Sequence, residues 1–466
     1  MKGVAGLLAL IVVALFMGAE AALTPDFYWE PSSPTDLEEV HFYDNSTGDV
    51  VAWIWYFGDG SSSTEQNPVH IYEDNGTYTV RLVVIDSSGA SKYVEKDITI
   101  ENVPPVAVAG DDVISHNLTI ELNGSQSYDM DGSIVNYTWD FGDGSVGYGM
   151  VVNHTYGQEG IYVVNLTVKD NDGATSMDSL LATIDFTPPV TNYTVVGGKK
   201  WYRSNITIIF NASDNISGVN ATFYKINDGE WEIYEGNITL TEEMLYTIYY
   251  YSIDNAGNEE NVSNFTVGID FTPPETLYGI NASYGLGGWI KGVARISFEA
   301  SDVISGVNYT MYKIDDGDWK KYNGTFNFSV NGEHKIYYYS VDNAGNQEAT
   351  SNFTIKIDNA APTVSIATPQ KGYIYMFNRR ILPTIFGNTI IIGKFEAEAT
   401  ASDSYSGVFY AEFILNGEIL WKDYSAPYTA ELPRSKLLSK NTIKVVVYDK
   451  VGNSAESEEI TYIKVR

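Results

Sequence analysis

Two aspartate-rich turns are the first candidates for chemistry in this chain. Asp129-Met130-Asp131-Gly132 and Asp170-Asn171-Asp172-Gly173 bring hard oxygen donors together at a spacing that calcium loops use. The competing reading is an Asx-type turn, in which the aspartate accepts backbone N–H bonds. The turns lack the full ligand spacing of a dedicated calcium loop, which favours the Asx reading; Asp129 and Asp131 are the residues a metal would use. No cofactor is required, and calcium is the ion to consider at these oxygens.

Asparagine supplies the second candidate chemistry. The N-glycosylation pattern Asn-x-Ser/Thr occurs at Asn45, Asn75, Asn117, Asn123, Asn136, Asn153, Asn165, Asn192, Asn205, Asn211, Asn215, Asn220, Asn237, Asn261, Asn264, Asn281, Asn308, Asn323, Asn327 and Asn352. Composition alone would give about 5 or 6 such acceptors rather than twenty. Asn and Thr also populate turns and exposed strand faces, but strand phase argues for acceptors. In Asn205-Ile206-Thr207-Ile208, Asn264-Phe265-Thr266-Val267 and Asn352-Phe353-Thr354-Ile355 the asparagine lies opposite the apolar side chains, where a sugar would project into water. No acceptor follows Asn352, an expectation that the last stretch is shielded by a partner or by the cell envelope.

Catalytic constellations are not expected. The histidines are His41, His70, His116, His154 and His334, and His70 and His154 occupy matched positions in a repeat, which makes them structural. No Gly-x-Ser-x-Gly elbow, His-Glu-x-x-His pair or phosphate-binding glycine loop is present. A glycosidase needs two carboxylates across a cleft, and small repeats offer no unique cavity in which to shift a pKa. No catalytic residue is assigned.

The elements that must carry these residues are strands. The chain has 466 residues, 35 of them Tyr, 19 Phe and 9 Trp, and the accompanying Val, Ile and Thr favour β-structure. It has no cysteine, which removes disulfides, zinc thiolates and thiol catalysis. With 60 acidic against 28 basic side chains the net charge is −32, so phosphate backbones and anionic lipid are repelled and nucleic acid is excluded as a partner.

Internal repeats set the domain plan. Trp55-Tyr56-Phe57-Gly58-Asp59-Gly60 returns as Trp139-Asp140-Phe141-Gly142-Asp143-Gly144, followed in both copies by His-x-Tyr and Gly-x-Tyr-x-Val. A second repeat type begins with Ala212-Ser213-Asp214, Ala300-Ser301-Asp302 and Ala401-Ser402-Asp403, each continuing to Ser-Gly-Val. Its first two copies share Tyr-Lys-Ile, an Asp-Gly turn, Trp231 or Trp319, and Asp-Asn-Ala-Gly-Asn; the third keeps Asn416-Gly417, Trp421 and Asp449-Lys450-Val451-Gly452-Asn453 but inserts an apolar segment around Ile385 to Ile392. Pro104-Pro105, Pro188-Pro189, Pro273-Pro274 and Pro362 interrupt the strand pattern at the junctions.

The sequence therefore predicts an all-β chain: a tandem array of five Ig-like β-sandwich domains after an N-terminal signal helix. The expected boundaries are 1–21 for the signal peptide, with its apolar run and Ala19-Glu20-Ala21 cleavage pattern, then 22–102, 103–185, 186–270, 271–358 and 359–466. The membrane enters only through that segment, should it stay uncleaved. Without disulfides each core is expected to lean on buried aromatics such as Trp55, Trp139, Trp231, Trp319 and Trp421.

Residues 24–185 resemble the PKD family of Ig-like domains, whose Trp-Asp-Phe-Gly-Asp-Gly turn is intact at Trp139 to Gly144, while Tyr56 replaces its aspartate in the first copy. Residues 186–358 resemble bacterial and archaeal Ig-like repeats, and residues 359–466 a divergent relative. The resemblance implies a non-catalytic structural, adhesive or spacer role at a cell surface or outside the cell, or an accessory module binding carbohydrate or protein beside a degradative enzyme. It implies partners among envelope or extracellular proteins and polysaccharides. Some PKD domains bind calcium through aspartates equivalent to Asp129 and Asp131, whereas the first copy has Asp44-Asn45-Ser46-Thr47-Gly48 there. Dense acceptor asparagines without cysteine point to an archaeal exterior.

Overall fold

A computed structural model describes residues 22–465 except residue 435; the stretch 1–21, expected to be a signal segment, lies outside the described residues. Among the described residues the architecture is tandem Ig-like β-sandwiches, with Leu286–Gly288 forming a short 3-10 turn. No described helix is long and apolar enough to cross a membrane. By contact density the chain divides into two units: Met1–Asn192 with Asn211–Phe223 and Tyr250–Val262, and Tyr193–Phe210 with Tyr224–Tyr249 and Ser263–Arg466.

In the first unit, period-two alternation selects the faces. The strand Gly160–Asp170 buries Val164, Leu166 and Val168 completely while Ile161 and Val163 face solvent. It is central to a sheet in the order Val146–Tyr148, Ile134–Asp140, Gly160–Asp170, Thr175–Ile184, Val113–Ser115, with the last pair parallel. The facing layer pairs Val151–Thr155 with Thr119–Asn123. The preceding repeat is built alike, with Ser62–Ser63, Val50–Tyr56, Gly76–Asp86 and Ser91–Ile100 against Phe27–Glu30, Val40–Asp44 and Val69–His70. Trp55 and Trp139 are fully buried at the centres of separate clusters, and each indole N–H donates to a carbonyl, Glu65 O and Gly149 O respectively, at 3.0 Å. A large aromatic can be buried there because its single polar atom is satisfied.

In the second unit, Trp289–Ser301 pairs antiparallel with Glu275–Tyr284 from Ile290 to Ser301, and on its other edge passes from parallel Ser351–Ile357 to antiparallel Phe326–Phe328. The change of partner occurs around Gly292, whose φ of 90° suits glycine. Ile296, Phe298, Ile336, Phe353 and Ile355 belong to the core beneath. The last sandwich sets Thr363–Thr368, Glu396–Ser402 and Tyr428–Glu431 against a sheet running Arg379–Pro383, Tyr373–Met376, Thr389–Ile392, Ile460–Val465, Ser439–Asp449, Val408–Leu415, Glu418–Asp423. The inserted apolar segment is thus divided in role. Thr389 and Ile391 are buried in a strand parallel to Ile460–Val465, whereas Ile385 and Phe386 are 95% and 87% exposed.

Three tryptophans expected in cores are not there. Trp231, Trp319 and Trp421 are 38%, 37% and 58% exposed. They sit on or beside short hairpin strands at sheet edges, where Lys225 Nζ lies 5.4 Å from the Trp231 ring and Lys313 Nζ 5.6 Å from the Trp319 ring. Phe298, Phe395, Phe413 and Tyr462 fill the cores instead. The chain turns at both Asp-Gly sites, but the positive φ falls one residue before the pair, on Asn227 and Asp315 at 52° and 49°, and not on Gly229 or Gly317.

Trp139→Ala should therefore destabilise the protein by about 3–5 kcal/mol, while Trp421→Ala should cost at most about 0.5–1 kcal/mol. Denaturant unfolding followed by circular dichroism would measure both.

Candidate metal centre and its surroundings

The strand Ile134–Asp140 is preceded by the turn that carries Asp129 and Asp131, and the strand Gly160–Asp170 ends in the neighbouring turn. The two turns play different parts. Asp170 Oδ1 accepts the N–H groups of Asp172, Gly173 and Ala174 at 3.0, 2.6 and 2.8 Å, and its Oδ2 accepts Asn102 Nδ2 at 2.8 Å. That is the Asx reading realised. Asn171 Oδ1 accepts the Ser133 N–H at 2.7 Å and ties the two turns together.

Asp129 and Asp131 are not spent in this way. Both oxygens of Asp129 and Oδ1 of Asp131 are buried without a hydrogen-bond partner, while Asp131 Oδ2 accepts the Val103 N–H at 2.7 Å. A third carboxylate joins them from the preceding repeat: Asp36, only 8% exposed, has its Oδ1 buried and unpartnered as well. Burial first, then the adjoining Asp131 carboxyl and the Asp172 charge, push the Asp36 carboxyl up to about 6. Burial and Asp131 likewise raise Asp129. At Asp131 burial works against ionisation, but the Val103 N–H and the carboxyls of Asp129 and Asp36 outweigh it and hold that group below its ordinary value. Asp131 adjoins both Asp36 and Asp129, and the four orphaned oxygens around it are donors of the kind a hard cation takes, although the three carboxylates do not set one oxygen each within 4.8 Å of one another.

The first copy of the turn lacks this arrangement. Asp44 Oδ1 accepts the Ser46 N–H at 2.9 Å and Oδ2 accepts Trp53 Nε1 at 2.7 Å, so both oxygens are engaged. Sequence reasoning found Asp129 and Asp131 from their spacing and missed Asp36, which lies in another repeat with no glycine-closed turn to mark it.

His70 and His154 are structural. His154 Nε2 meets Asp143 Oδ2 at 2.7 Å and its ring stacks on Phe141 at 3.8 Å, and His70 repeats this with Asp59 at 2.6 Å and Phe57 at 4.2 Å. Ser61 Oγ also approaches His70, at 3.2 Å, but on the same Nε2 that meets Asp59. A hydrolytic triad needs the acid on the other ring nitrogen, so the trio clips the Gly-Asp-Gly turn rather than activating a nucleophile.

Eighteen of the twenty acceptor asparagines are exposed; Asn75 and Asn165 are half-buried. Asn75 Nδ2 donates to Asn102 Oδ1 at 3.1 Å, and Asn45 Nδ2 to Asp26 Oδ2 at 2.8 Å. In the last sandwich a cavity of about 720 Å³ is lined by Phe377, Lys394, Glu431, Arg434 and Lys464 among others. Glu431 is ion-paired there with Lys394 at 3.0 Å, and the Lys464 ammonium is buried without a partner.

The family model of the PKD domain matches residues 30–101 and 102–184. Collagenase ColA of Bacillus cereus is 41% identical over 78 residues, which cover 16% of this chain and 8% of that protein. The pre-pro-metalloprotease PrtV of Vibrio cholerae is 31% identical over 130 residues, covering 28% of this chain and 14% of PrtV. The chain thus spans a small part of the length of these relatives. Among solved structures, the PKD1 domain of Vibrio anguillarum Epp is 33% identical and covers 19% of this chain and 100% of its own, with a TM-score of 0.17. Sidekick-1 immunoglobulin domains 1-5 are 10% identical and cover 95% of this chain and 99% of their own, with a TM-score of 0.25.

Asp36 makes the metal-free protein pH-sensitive. Because its folded pKa is raised, the stability it contributes when protonated is complete below the unfolded value near 3.8 and is lost as pH rises through about 6. Without divalent ions, the difference in thermal midpoint between the native protein and Asp36→Asn should widen in favour of the variant between pH 5 and pH 7. A difference that stays constant over that range would contradict the assignment.

Proposed function

We propose that the chain is a non-catalytic extracellular or cell-surface glycoprotein whose tandem sandwiches act as a structural, adhesive or spacer module. The observation that carries this reading is the run of sandwich strands from Phe27 to Val465, which makes β-strand the predominant element of the described chain. The PKD repeats it shares with collagenases and a metalloprotease support an extracellular setting. The domain boundaries drawn from the repeats and an archaeal source belong to the same proposal. Exposure of eighteen acceptor asparagines supports glycosylation, since an acceptor must reach solvent.

Calcium belongs to the proposal as well, held by Asp36, Asp129 and Asp131. Bound there, it would supply positive charge that lets three buried carboxylates ionise together and would tie Asp36 of one repeat to the turn of the next.

A second reading is favoured by the cavity in the last sandwich. Lys394, Arg434 and Lys464 make it basic within an acidic protein, and Phe377 gives it an apolar wall, as a site binding a carbohydrate or protein ligand would have.

Intact-mass measurement of the protein from its native host should show multiple glycans, removed by asparagine-directed deglycosylation; an unmodified mass overturns the glycoprotein reading. A glycan and protein array probed with the purified chain separates the two roles. Saturable capture of a defined polymer that Arg434→Ala weakens at least about tenfold, equivalent to about 1.4 kcal/mol, supports the binding module.

A further inference from the structure

Three further carboxylate clusters lie outside the PKD repeats, and they are built to one plan. Asp185, Asp214 and Asp254 place one oxygen each within 4.8 Å of one another, as do Asp270, Asp302 and Asp342, and Asp358, Asp403 and Asp449. The first member of each follows the closing strand of one repeat: Thr175–Ile184, Ser263–Ile269 or Ser351–Ile357. The second opens the Ser-Gly-Val motif, and the third begins the Asp-x-x-Gly-Asn turn. In every cluster the first and third members are buried and the second is half-buried.

Hydrogen bonds fix the outer lone pairs. Ser217, Ser305 and Ser406 give their N–H groups to Asp185, Asp270 and Asp358 at 3.0, 3.0 and 3.1 Å. Gly218, Gly306 and Gly407 give theirs to Asp214, Asp302 and Asp403 at 2.7, 2.6 and 2.7 Å. Asn258, Asn346 and Asn453 each donate a side-chain N–H to the third aspartate at 2.7 Å.

What these bonds leave open points to a ligand. Ser406 is 3% exposed, its N–H already rests on Asp358, and its hydroxyl is buried with no partner. The hydroxyl stands on the carboxylate side of its loop, since the matching Ser305 Oγ donates to Asp302 Oδ1 at 3.5 Å; Ser305 Oγ also accepts the Ala344 N–H at 3.4 Å and is thereby engaged. Ser217 Oγ is likewise buried and unpartnered. A serine beside three carboxylates has acceptors at hand; Ser217 and Ser406 donate to none of them, which leaves their oxygens open to accept, as a cation ligand does. Asp403 Oδ2 is also buried and unpartnered, although Lys450 Nζ comes near Gly407.

We propose that each triad, Asp185/Asp214/Asp254, Asp270/Asp302/Asp342 and Asp358/Asp403/Asp449, binds one Ca²⁺, with the hydroxyl of Ser217 or Ser406 as an added oxygen ligand in the first and third. Three carboxylates, joined in the first and third by a hydroxyl, suit an ion that takes six to eight hard oxygens in flexible geometry, and they suit Mg²⁺ poorly because it demands near-ideal octahedra. The sites are separate from the one at Asp36, Asp129 and Asp131, and they stand or fall independently of it.

The test is calcium stoichiometry of the full chain by isothermal titration and native mass spectrometry. Asp214→Asn, Asp302→Asn and Asp403→Asn each keep the oxygen that accepts the loop N–H groups, and each should remove one equivalent of bound Ca²⁺. The triple variant should lose three equivalents while keeping any that Asp131→Asn removes. Ser406→Ala should weaken one site several-fold with the fold unchanged by circular dichroism. Unchanged stoichiometry in a folded triple variant would overturn the proposal, as would equal occupancy by Mg²⁺ at the same concentration.

Discussion

Buried aspartate at the end of a strand is the constraint on which the rest of the structure depends. Two unit charges 4.8 Å apart repel by ~3.5 kcal/mol at an effective permittivity of about 20, and each of the three triads carries that repulsion between all its members when ionised. The opposing term is local: a hydrogen bond to a charged group contributes about 1.5–3 kcal/mol, and each aspartate of the first triad accepts two N–H donors. The two terms are comparable, so the clusters are poised rather than strongly stabilising. Aspartate is used because its short side chain reaches the N–H groups two to four residues onward, which glutamate would overshoot.

The hydrophobic cores meet a different demand. With no cysteine to restrict the unfolded chain, each sandwich relies on close-packed aromatics and aliphatics. In the two repeats that the PKD model matches, the packing runs outward from one indole: Trp139 at the centre, Phe141 at the turn, His154 stacked on Phe141, and Tyr156 sending its hydroxyl back to Phe141 O at 3.2 Å. The Gly-Asp-Gly turn is therefore part of the core's edge. Gly142 has a φ of 77°, and a Cβ there would lie 2.5 Å from Val163 O, so the glycine permits the turn to close against the neighbouring strand.

Much of this was legible in the sequence because strands write their phase into alternate residues and repeats write theirs into register. Trp55 and Trp139 could be placed in cores from the motif around them. Trp231, Trp319 and Trp421 misled because a tryptophan after an Asp-Gly or Asn-Gly turn looks alike whether its strand is central or at an edge, and edge position is a property of pairing, not of local pattern. The metal-type sites divide similarly. Asp129 and Asp131 were visible as neighbours in one turn, whereas Asp36 and the three triads assemble from segments tens of residues apart. Their one sequence signal was the recurrence of Asp214, Asp302 and Asp403, and of Asp254, Asp342 and Asp449, in matched positions. That recurrence marked the repeats, and the carboxylates proved to be what the repeats keep.

The surface is divided as well. Acceptor asparagines occupy exposed positions as far as Asn352, and beyond it the exposed residues include Phe377, Ile385 and Phe386 and the cavity bearing Lys464. Bulky polar glycans oppose close contact with another macromolecule, while exposed apolar side chains favour it. Exposed apolar side chains run along the whole chain, Val303 at 98% among them, so the last stretch is set apart by its lack of acceptor asparagines and by the basic residues of its cavity rather than by apolar surface. The acidic surface reinforces that separation, since a net charge of −32 resists self-association everywhere except where apolar or basic groups interrupt it.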